Sequence, residues 1–229
     1  MLVKPRGKEF EIALGARGWQ LPPGLPVRFD ELRAAGVTAK QEIQFPDVEG
    51  KLYGGTLKGN ARLRWGDKWS LEGGFRLKDV QAEPLARAFP GAALKGGTAE
   101  ASGTLGLQGP ALDKIFEAPR LEAGFILRNG ALGNLDLAKA SAAGNSEPVR
   151  GGSTAFNEAA GTLSAAGGQL QVRQLRLGSD ALSASGSLES SAARGLSGRL
   201  AVDPKAAVIA RGALALSGTL QEPVLTPGK

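Results

Sequence analysis

The sequence predicts an all-β protein: a curved, elongated antiparallel β-sheet, a trough-like meander with a few short helices. Three observations predict it. Apolar and polar residues alternate over short stretches, which is the period of half-buried strands. Glycine accounts for 34 of the 229 residues and separates these stretches. Aromatic residues make up only 5% of the chain, so its apolar content is mostly Leu, Ala and Val, which favours a thin sheet.

Residues 61–78 show this alternation. Ala61, Leu63 and Trp65 alternate with Arg62 and Arg64, so the charged side chains should face water while the apolar ones share the other face. Similar alternation follows around residues 101–107 and 123–127. The apolar face is therefore predicted to include Leu63, Trp65, Phe75, Leu77, Leu105, Leu107, Phe125 and Leu127.

Residues 156–202 read as an antiparallel meander, in which Gly167-Gly168 forms a hairpin turn. The apolar phase slips by one residue around Arg173-Gln174, as a β-bulge would cause. With that bulge, Arg173 and Arg176 turn away from the apolar face. The residues then predicted on one face are Leu170, Val172, Leu175, Leu177, Leu182 and Leu188.

Three segments break the strand pattern, at residues 83–89, 110–117 and 135–142, and short helices or turns are predicted there. Residues 144–153, rich in Gly and Ser, are predicted to form a flexible loop. The chain is interpreted as one β domain over 1–229, with this loop as the place where two sub-sheets would divide.

One short motif recurs with an apolar residue, glycine and leucine at positions i, i+2 and i+4. Its copies begin at Ala101, Ala184, Leu196 and Leu216. Each copy places a glycine in the middle of one strand face, where it eases curvature and close approach of neighbouring strands.

The composition argues against an enzyme, because the chain has no histidine and no cysteine. His-based triads, thiol nucleophiles and thiolate zinc sites are therefore excluded. The carboxylates are interpreted as turn and cap residues. No catalytic residue, metal site or cofactor is predicted.

The net charge of +6 is spread along the chain without a strongly basic block. Nucleic-acid binders concentrate Lys and Arg on one face and supply aromatic rings for stacking, so no nucleic-acid partner is predicted. No apolar run reaches the roughly 18 residues of a membrane span. A membrane anchor would have to lie in a segment that is not in this chain.

Five elements in order resemble the C-terminal region of the AsmA family. They are a strand–turn–strand signature at 52–59, a strand leading to a short helix at 75–89, a strand with Asn-Gly and Leu-Asp-Leu at 125–137, a meander at 154–188, and a closing phrase at 216–223. The resemblance covers roughly residues 40–229. The chain is shorter than most members of that family and lacks their N-terminal membrane helix, so the resemblance leads us to expect a fragment of a longer protein.

The resemblance implies a periplasmic envelope protein that is anchored to the inner membrane and related in architecture to TamB-like bridges. Such a protein would bind a phospholipid or other acyl lipid in an apolar groove, support phospholipid transport and outer-membrane assembly, and meet envelope-assembly proteins. The predicted groove is lined by the fourteen apolar residues given above.

The residues themselves leave alternatives open. The apolar face could be the closed core of an ordinary sandwich or barrel. Open strand edges could make the chain a scaffolding or protein-binding module, and an adhesive, carbohydrate-binding domain is a third reading. Trp19, Trp65 and Trp69 fit core or rim packing, or an amphipathic anchor at a lipid surface.

Overall fold

The structure is a computed structural model that describes residues 2–6, 9–21, 26–89, 91, 93–143, 147–191, 195–205 and 212–228. Strands hold 74% of the described residues. The strands are β1 Leu2–Arg6, β2 Glu9–Gln20, β3 Arg28–Ala39, β4 Glu42–Leu52, β5 Gly55–Arg64, β6 Trp69–Gln81, β7 Leu94–Gly109, β8 Arg120–Gly133, β9 Val149–Arg150, β10 Ser153–Ala166, β11 Gln169–Gly178, β12 Leu182–Ser191, β13 Gly195–Pro204, β14 Gly212–Gly218 and β15 Pro223–Pro227.

The strands form one antiparallel sheet in nearly sequential order, β1 to β8 and then β10 to β15, with β9 paired to β15. Three short helices interrupt it: α1 Ala82–Arg87, a 3-10 helix Leu112–Glu117 and α2 Leu137–Ala142. The predicted fold class is confirmed, and the helices fall in the three segments where the strand pattern breaks.

The chain divides into two compact units that share strands. Unit one comprises Met1–Val80, Glu100–Ala123 and Ala165–Gly167, and unit two comprises Gln81–Ala99, Gly124–Ser164 and Gly168–Lys229. Residues 144–153, where the sequence suggested a division, lie inside unit two.

In unit one the register separates apolar from charged side chains, since residues paired directly across an antiparallel ladder share a face. One cross-strand row runs through Leu14, Ala34, Val48, Gly59 and Phe75. Two further rows of the same face are Phe10, Thr38, Ile43, Leu63 and Leu71, and Ala16, Leu32, Gly50, Leu57 and Leu77.

The opposite face of these strands carries the charges. Its rows are Arg33, Glu49, Lys58 and Arg76; Glu31, Lys51, Thr56 and Lys78; Gln44, Arg62 and Glu72; and Glu42, Arg64 and Ser70. We call this surface the polar face of unit one. The alternation predicted from Leu63 with Arg62 and Arg64 is confirmed.

In unit two the apolar face is a closed core. On this face α2 packs against β13, β14 and β15. The helix is fixed at its start, where the backbone N–H of Lys139 donates to the Asp136 carboxylate at 2.9 Å, an N-cap bond. The core consists of Leu137, Ala140, Val149, Phe156, Ala159, Leu177, Leu182, Ala184, Leu196, Leu200, Val202, Leu214, Leu216 and Leu225.

The predicted loop at 144–153 is partly wrong. Residues 144–146 lie outside the described residues, but Val149 and Arg150 form β9 and pair with Leu225 and Val224 of β15. Val149 is buried, and burial of its side chain in the core offsets the small number of ladder bonds that two residues can make. Gly151 then bridges Leu135, beyond the end of β8.

Glycines on the apolar faces sit where neighbouring strands come very close. A Cβ at Gly73 or Gly59 of unit one, or at Gly186 of unit two, would collide with a backbone oxygen of the adjacent strand. Gly74, on the polar face, has more space: the atom nearest to an added Cβ would be in the Asn60 side chain, at 3.5 Å, an ordinary contact distance. The recurring motif was predicted to allow neighbouring strands to approach closely. At three of its glycines, Gly103, Gly186 and Gly198, an added Cβ would collide with a backbone oxygen of an adjacent strand, which confirms this.

The fourth copy of the motif differs. Gly218 has a φ of +92° and ends β14, so this glycine serves the turn into β15 and not the middle of a strand.

Gly73 and Gly74 provide a matched test of this packing. Gly73→Ala should destabilise the protein by about 1–3 kcal/mol, because the added methyl group meets the backbone oxygen of Asn60. Gly74→Ala should be neutral or stabilising by up to about 1 kcal/mol, since it reduces the freedom of the unfolded chain without a clash. Urea unfolding of both variants measures the difference. Equal effects at the two positions would contradict the packing described here.

Candidate functional site

The candidate site is the apolar face of unit one, formed by the large side chains Ile43, Val48, Leu57, Leu63, Leu71, Phe75 and Leu77. Each is half-buried, whereas Phe45, which pairs with Ala61 on the same face, is buried at 6% exposure. The five strands β2 to β6 span about 19 Å between outer strands, and the rows from Leu57 to Leu63 span about 20 Å along the strands. In the rows from β2 to β6, the only polar side chain on this face is that of Thr38.

Two aromatic pairs lie at opposite ends of these strands. At one end Trp65 and Trp69 stack with ring centroids 5.8 Å apart, beside the turn between β3 and β4, where the backbone N–H of Trp65 donates to the Gln41 carbonyl at 3.0 Å. At the other end Trp19 stacks on Phe29 at 6.5 Å. Trp65, a predicted lining residue, is half-buried at this rim. Indole rings combine an apolar body with a polar N–H and so suit the boundary between an apolar surface and water.

The predicted lining residues of β7 have different environments. Leu105 is half-buried, whereas Leu107 is only 2% exposed. The 3-10 helix lies close by, because its backbone at Lys114 and Ile115 occupies the space where a Cβ of Gly109 would project. Leu107 is therefore a core residue of unit one and not an open lining, since the helix at 112–117 folds onto this end of β7.

The predicted residues of β11 and β12 do share one face. Leu170 pairs with Ser190, Val172 with Leu188, Leu175 with Gly186 and Leu177 with Ala184, with a register shift between Val172 and Leu175. Gln174 has a φ of +52°, a left-handed conformation that suits a bulge. Arg176 pairs with Ser185 on the opposite face. The predicted bulge and its effect on phase are confirmed, and Gly167 and Gly168 form the predicted hairpin turn with φ of +58° and +74°.

Burial divides these unit-two residues. Two of them, Leu177 and Leu182, are only 3% and 2% exposed and belong to the closed core. The prediction that they line a groove is therefore wrong. Phe125, Leu170 and Val172 are half-buried. Leu127, Leu175 and Leu188 are partly buried and pack against that core. Phe125 lies on the same side as Leu175, because a Cβ at Gly161 would be 3.2 Å from its ring and 3.4 Å from the Leu175 Cα.

Alternation along each strand could have identified four lining residues that the sequence reading left out: Ile43, Val48, Leu57 and Leu71. The register adds them, because Ile43 pairs with Leu63, Leu63 with Leu71, and Leu57 with Leu77. Strand periodicity gives the side on which a residue lies, but only the register gives its neighbours.

Two surface cavities lie on the polar sides of the strands. One, of about 760 Å³, crosses unit one and is bordered by the polar side chains of Gln44, Asn60, Arg62, Glu72 and Arg120. The other, of about 670 Å³, lies in unit two beside Arg176, Ser183, Ser185 and Asp203. Both are open surface grooves that offer mixed charges and small side chains. The apolar face of unit one is thus a surface of apolar rows and not an enclosed pocket.

Glu42 organises the charges of the polar face. Gln44 donates a side-chain hydrogen bond to its carboxylate, Arg64 Nε donates another at 3.1 Å, and Arg62 Nε lies 3.6 Å away. The hydrogen bond from Gln44, followed by the positive charges of Arg62 and Arg64, holds the pKa of Glu42 below its ordinary value. These contacts join β4 to β5 and keep the long side chains on the polar side.

Within the described part of the chain, no group of three or more carboxylate side chains is placed to hold a metal ion. No helix among those residues has the length and apolar character needed to cross a membrane. The chemistry that the apolar face offers is apolar contact.

Fold and site together define an all-β protein that presents an apolar, half-open sheet face. No family model, no curated protein and no solved structure matches the chain. The resemblance to the AsmA family therefore stays a prediction.

The charge network around Glu42 predicts a pH dependence. The pKa of Glu42 is lower in the folded than in the unfolded chain, so its contribution to stability is complete above the unfolded pKa and is lost as the pH falls through the folded-state pKa. Carbon-detected NMR titration should place the pKa of Glu42 below its ordinary value, and Gln44→Ala should raise it. The pKa of Glu83, which the backbone N–H of Gly96 and the charge of Arg87 lower, should not change in that variant. An unaltered Glu42 titration in Gln44→Ala would contradict this assignment.

Proposed function

We propose that the apolar face of unit one binds the acyl chains of lipids. The observation that supports this proposal is the separation of side chains across five paired strands, with apolar rows on one side and charged rows on the other. A sheet face that is half-open and carries no charged side chain in its rows favours an apolar partner.

The dimensions of the face suit acyl chains. A lipid leaflet is about 15 Å deep, half of the roughly 30 Å hydrocarbon core of a bilayer, and the apolar rows extend about 20 Å along the strands and about 19 Å across them. Each buried methylene group contributes about 0.8 kcal/mol. Ten buried methylenes would contribute about 8 kcal/mol before the cost of losing free motion, which removes several kcal/mol from this sum.

The chemistry of the face favours lipid tails over headgroups. With Thr38 as the only polar side chain in its rows, it has no group to recognise a particular phosphate or sugar. Such a site would accept many acyl lipids and would need no catalytic residue to take up or release them. In unit two the corresponding face is a closed core that includes Leu137 and Ala140 of α2, so the proposal is confined to unit one.

We place this activity, as part of the same proposal, in a periplasmic protein held at the inner membrane by a segment outside this chain, where it would support phospholipid transport and outer-membrane assembly. The AsmA-like order of motifs supports this setting. The alternative is a scaffolding β module with no lipid ligand.

Adjacent residues of β6 allow a matched test. Leu77→Asp places a carboxylate on the apolar face, whereas Arg76→Asp places one on the polar face. Leu77→Asp should reduce photo-crosslinking to a diazirine phospholipid at least about tenfold, because bringing an unpaired carboxylate against an acyl chain costs several kcal/mol. Arg76→Asp should label like the parent.

Circular dichroism and thermal melting establish that both variants fold. Leu63→Asp, on the same row as Ile43 and Leu71, serves as a second variant if Leu77→Asp unfolds. Equal lipid labelling by folded Leu77→Asp and parent protein would defeat the proposal. A parent protein that neither labels with the probe nor carries extractable lipid would favour the scaffolding alternative.

A further inference from the structure

The first two strands leave part of one sheet edge unpaired. β1 pairs with β2 only from Glu9 to Ala13, and β1 is the last strand on that side of the sheet. Beyond Ala13, β2 pairs with β3 on one side and with no described strand on the other. At the opposite end of the strand order, Gly151, next to β9, bridges Leu135.

Exposed apolar side chains concentrate at this edge. Of the six large hydrophobic side chains that are exposed among the described residues, five lie on β1 or β2: Leu2, Val3, Phe10, Leu14 and Trp19. Leu14 and Phe10 continue the apolar face of unit one, since they pair with Ala34 and Thr38 of its rows. An added strand would extend that face and cover them.

The charges of the polar face indicate what such a strand should carry. Opposite charges are paired across the strands at Lys4 and Glu11, at Glu31 and Lys51, and at Glu49 and Lys58. Arg17 is the outermost residue of one of these rows and pairs with Glu31 across the strands. The Glu31 carboxylate forms ion pairs with Arg33 and Lys51. The Arg17 side chain makes no hydrogen bond or ion pair with any described residue, so a carboxylate on the outer side would continue the alternation.

We infer that the outer edge of β2 from Leu14 to Gln20 is a docking site for an extended segment of a partner protein, in which acidic and apolar residues alternate. In an antiparallel pairing, an acidic residue would lie opposite Arg17 and apolar residues opposite Ala16 and Leu14. The space beside Gly15 is empty, with nothing within 4 Å of a Cβ there, so a large side chain fits opposite it. Backbone hydrogen bonds would supply affinity and the side-chain alternation would supply selectivity.

β1 itself is a poor edge for the same purpose. Pro5 lacks a backbone N–H, and Lys4 places a positive charge beside the edge, two features that protect sheet edges from pairing. Two copies of the chain paired antiparallel about Arg17 would also bring like charges together. The acidic partner is therefore favoured over a second copy.

The test uses two acetylated and amidated heptapeptides, one alternating glutamate with valine and one alternating lysine with valine. The glutamate peptide should bind the parent protein, measured by fluorescence anisotropy, and should slow hydrogen exchange of backbone amides between Leu14 and Gln20. Arg17→Glu should weaken this binding about tenfold and make the lysine peptide the better ligand. Arg17→Gln should lie between the two.

Arg76→Glu is the control, because it makes the same charge change on β6, which is paired with β5 inside the sheet. It should leave both affinities unchanged. The inference is overturned if neither peptide binds at millimolar concentration, if Arg76→Glu changes binding as much as Arg17→Glu, or if sedimentation shows that the parent dimerises through this edge. It does not depend on acyl binding, so equal lipid labelling by Leu77→Asp and the parent protein, which would defeat the acyl proposal, leaves it standing.

Discussion

The antiparallel ladder from β2 to β6 fixes the direction of every side chain in unit one, because each pair of residues opposite one another must share a face. A slip of one residue in the pairing of β5 with β4 would bring Lys58, Arg62 and Arg64 onto the apolar side. The register shifts between Ala35 and Val37 and between Phe45 and Val48 are therefore confined to bulges that restore the phase. Both the separation of charge from apolar surface and the proposed binding of acyl chains depend on this constraint.

The same constraint has different results in the two units. In unit two α2 packs against β13, β14 and β15 and the core closes, with Leu214 and Leu225 almost fully buried. In unit one the rows stay half-exposed, and stacked aromatic pairs stand at both ends of the strands. A closed core contributes stability through burial, whereas a half-open face forgoes part of that stabilisation and so leaves surface for a ligand.

Much of this architecture is predictable from the sequence because strand periodicity is a local signal. The alternation at residues 61–78, the turn at Gly167-Gly168 and the bulge near Gln174 all follow from residues within one or two strands. Burial is not local. The pattern of Leu177 and Leu182 is the same as that of Leu63 and Leu77, but the former pair belongs to a closed core that also includes Leu137 and Ala140 of the sequence-distant α2. The sequence did not predict β9, because a strand of two residues shows no periodicity and its partner β15 lies more than seventy residues away.

The central claim is that acyl chains meet the apolar face of unit one and not the core of unit two. Paramagnetic broadening measures this directly, with a stearate that carries a nitroxide on its chain and protein labelled at Ile, Leu and Val methyl groups. The account predicts strong broadening of the methyl signals of Ile43, Leu63 and Leu77, with those of Leu182, Leu200 and Leu214 left sharp. Uniform weak broadening, or broadening confined to the unit-two core, would contradict it.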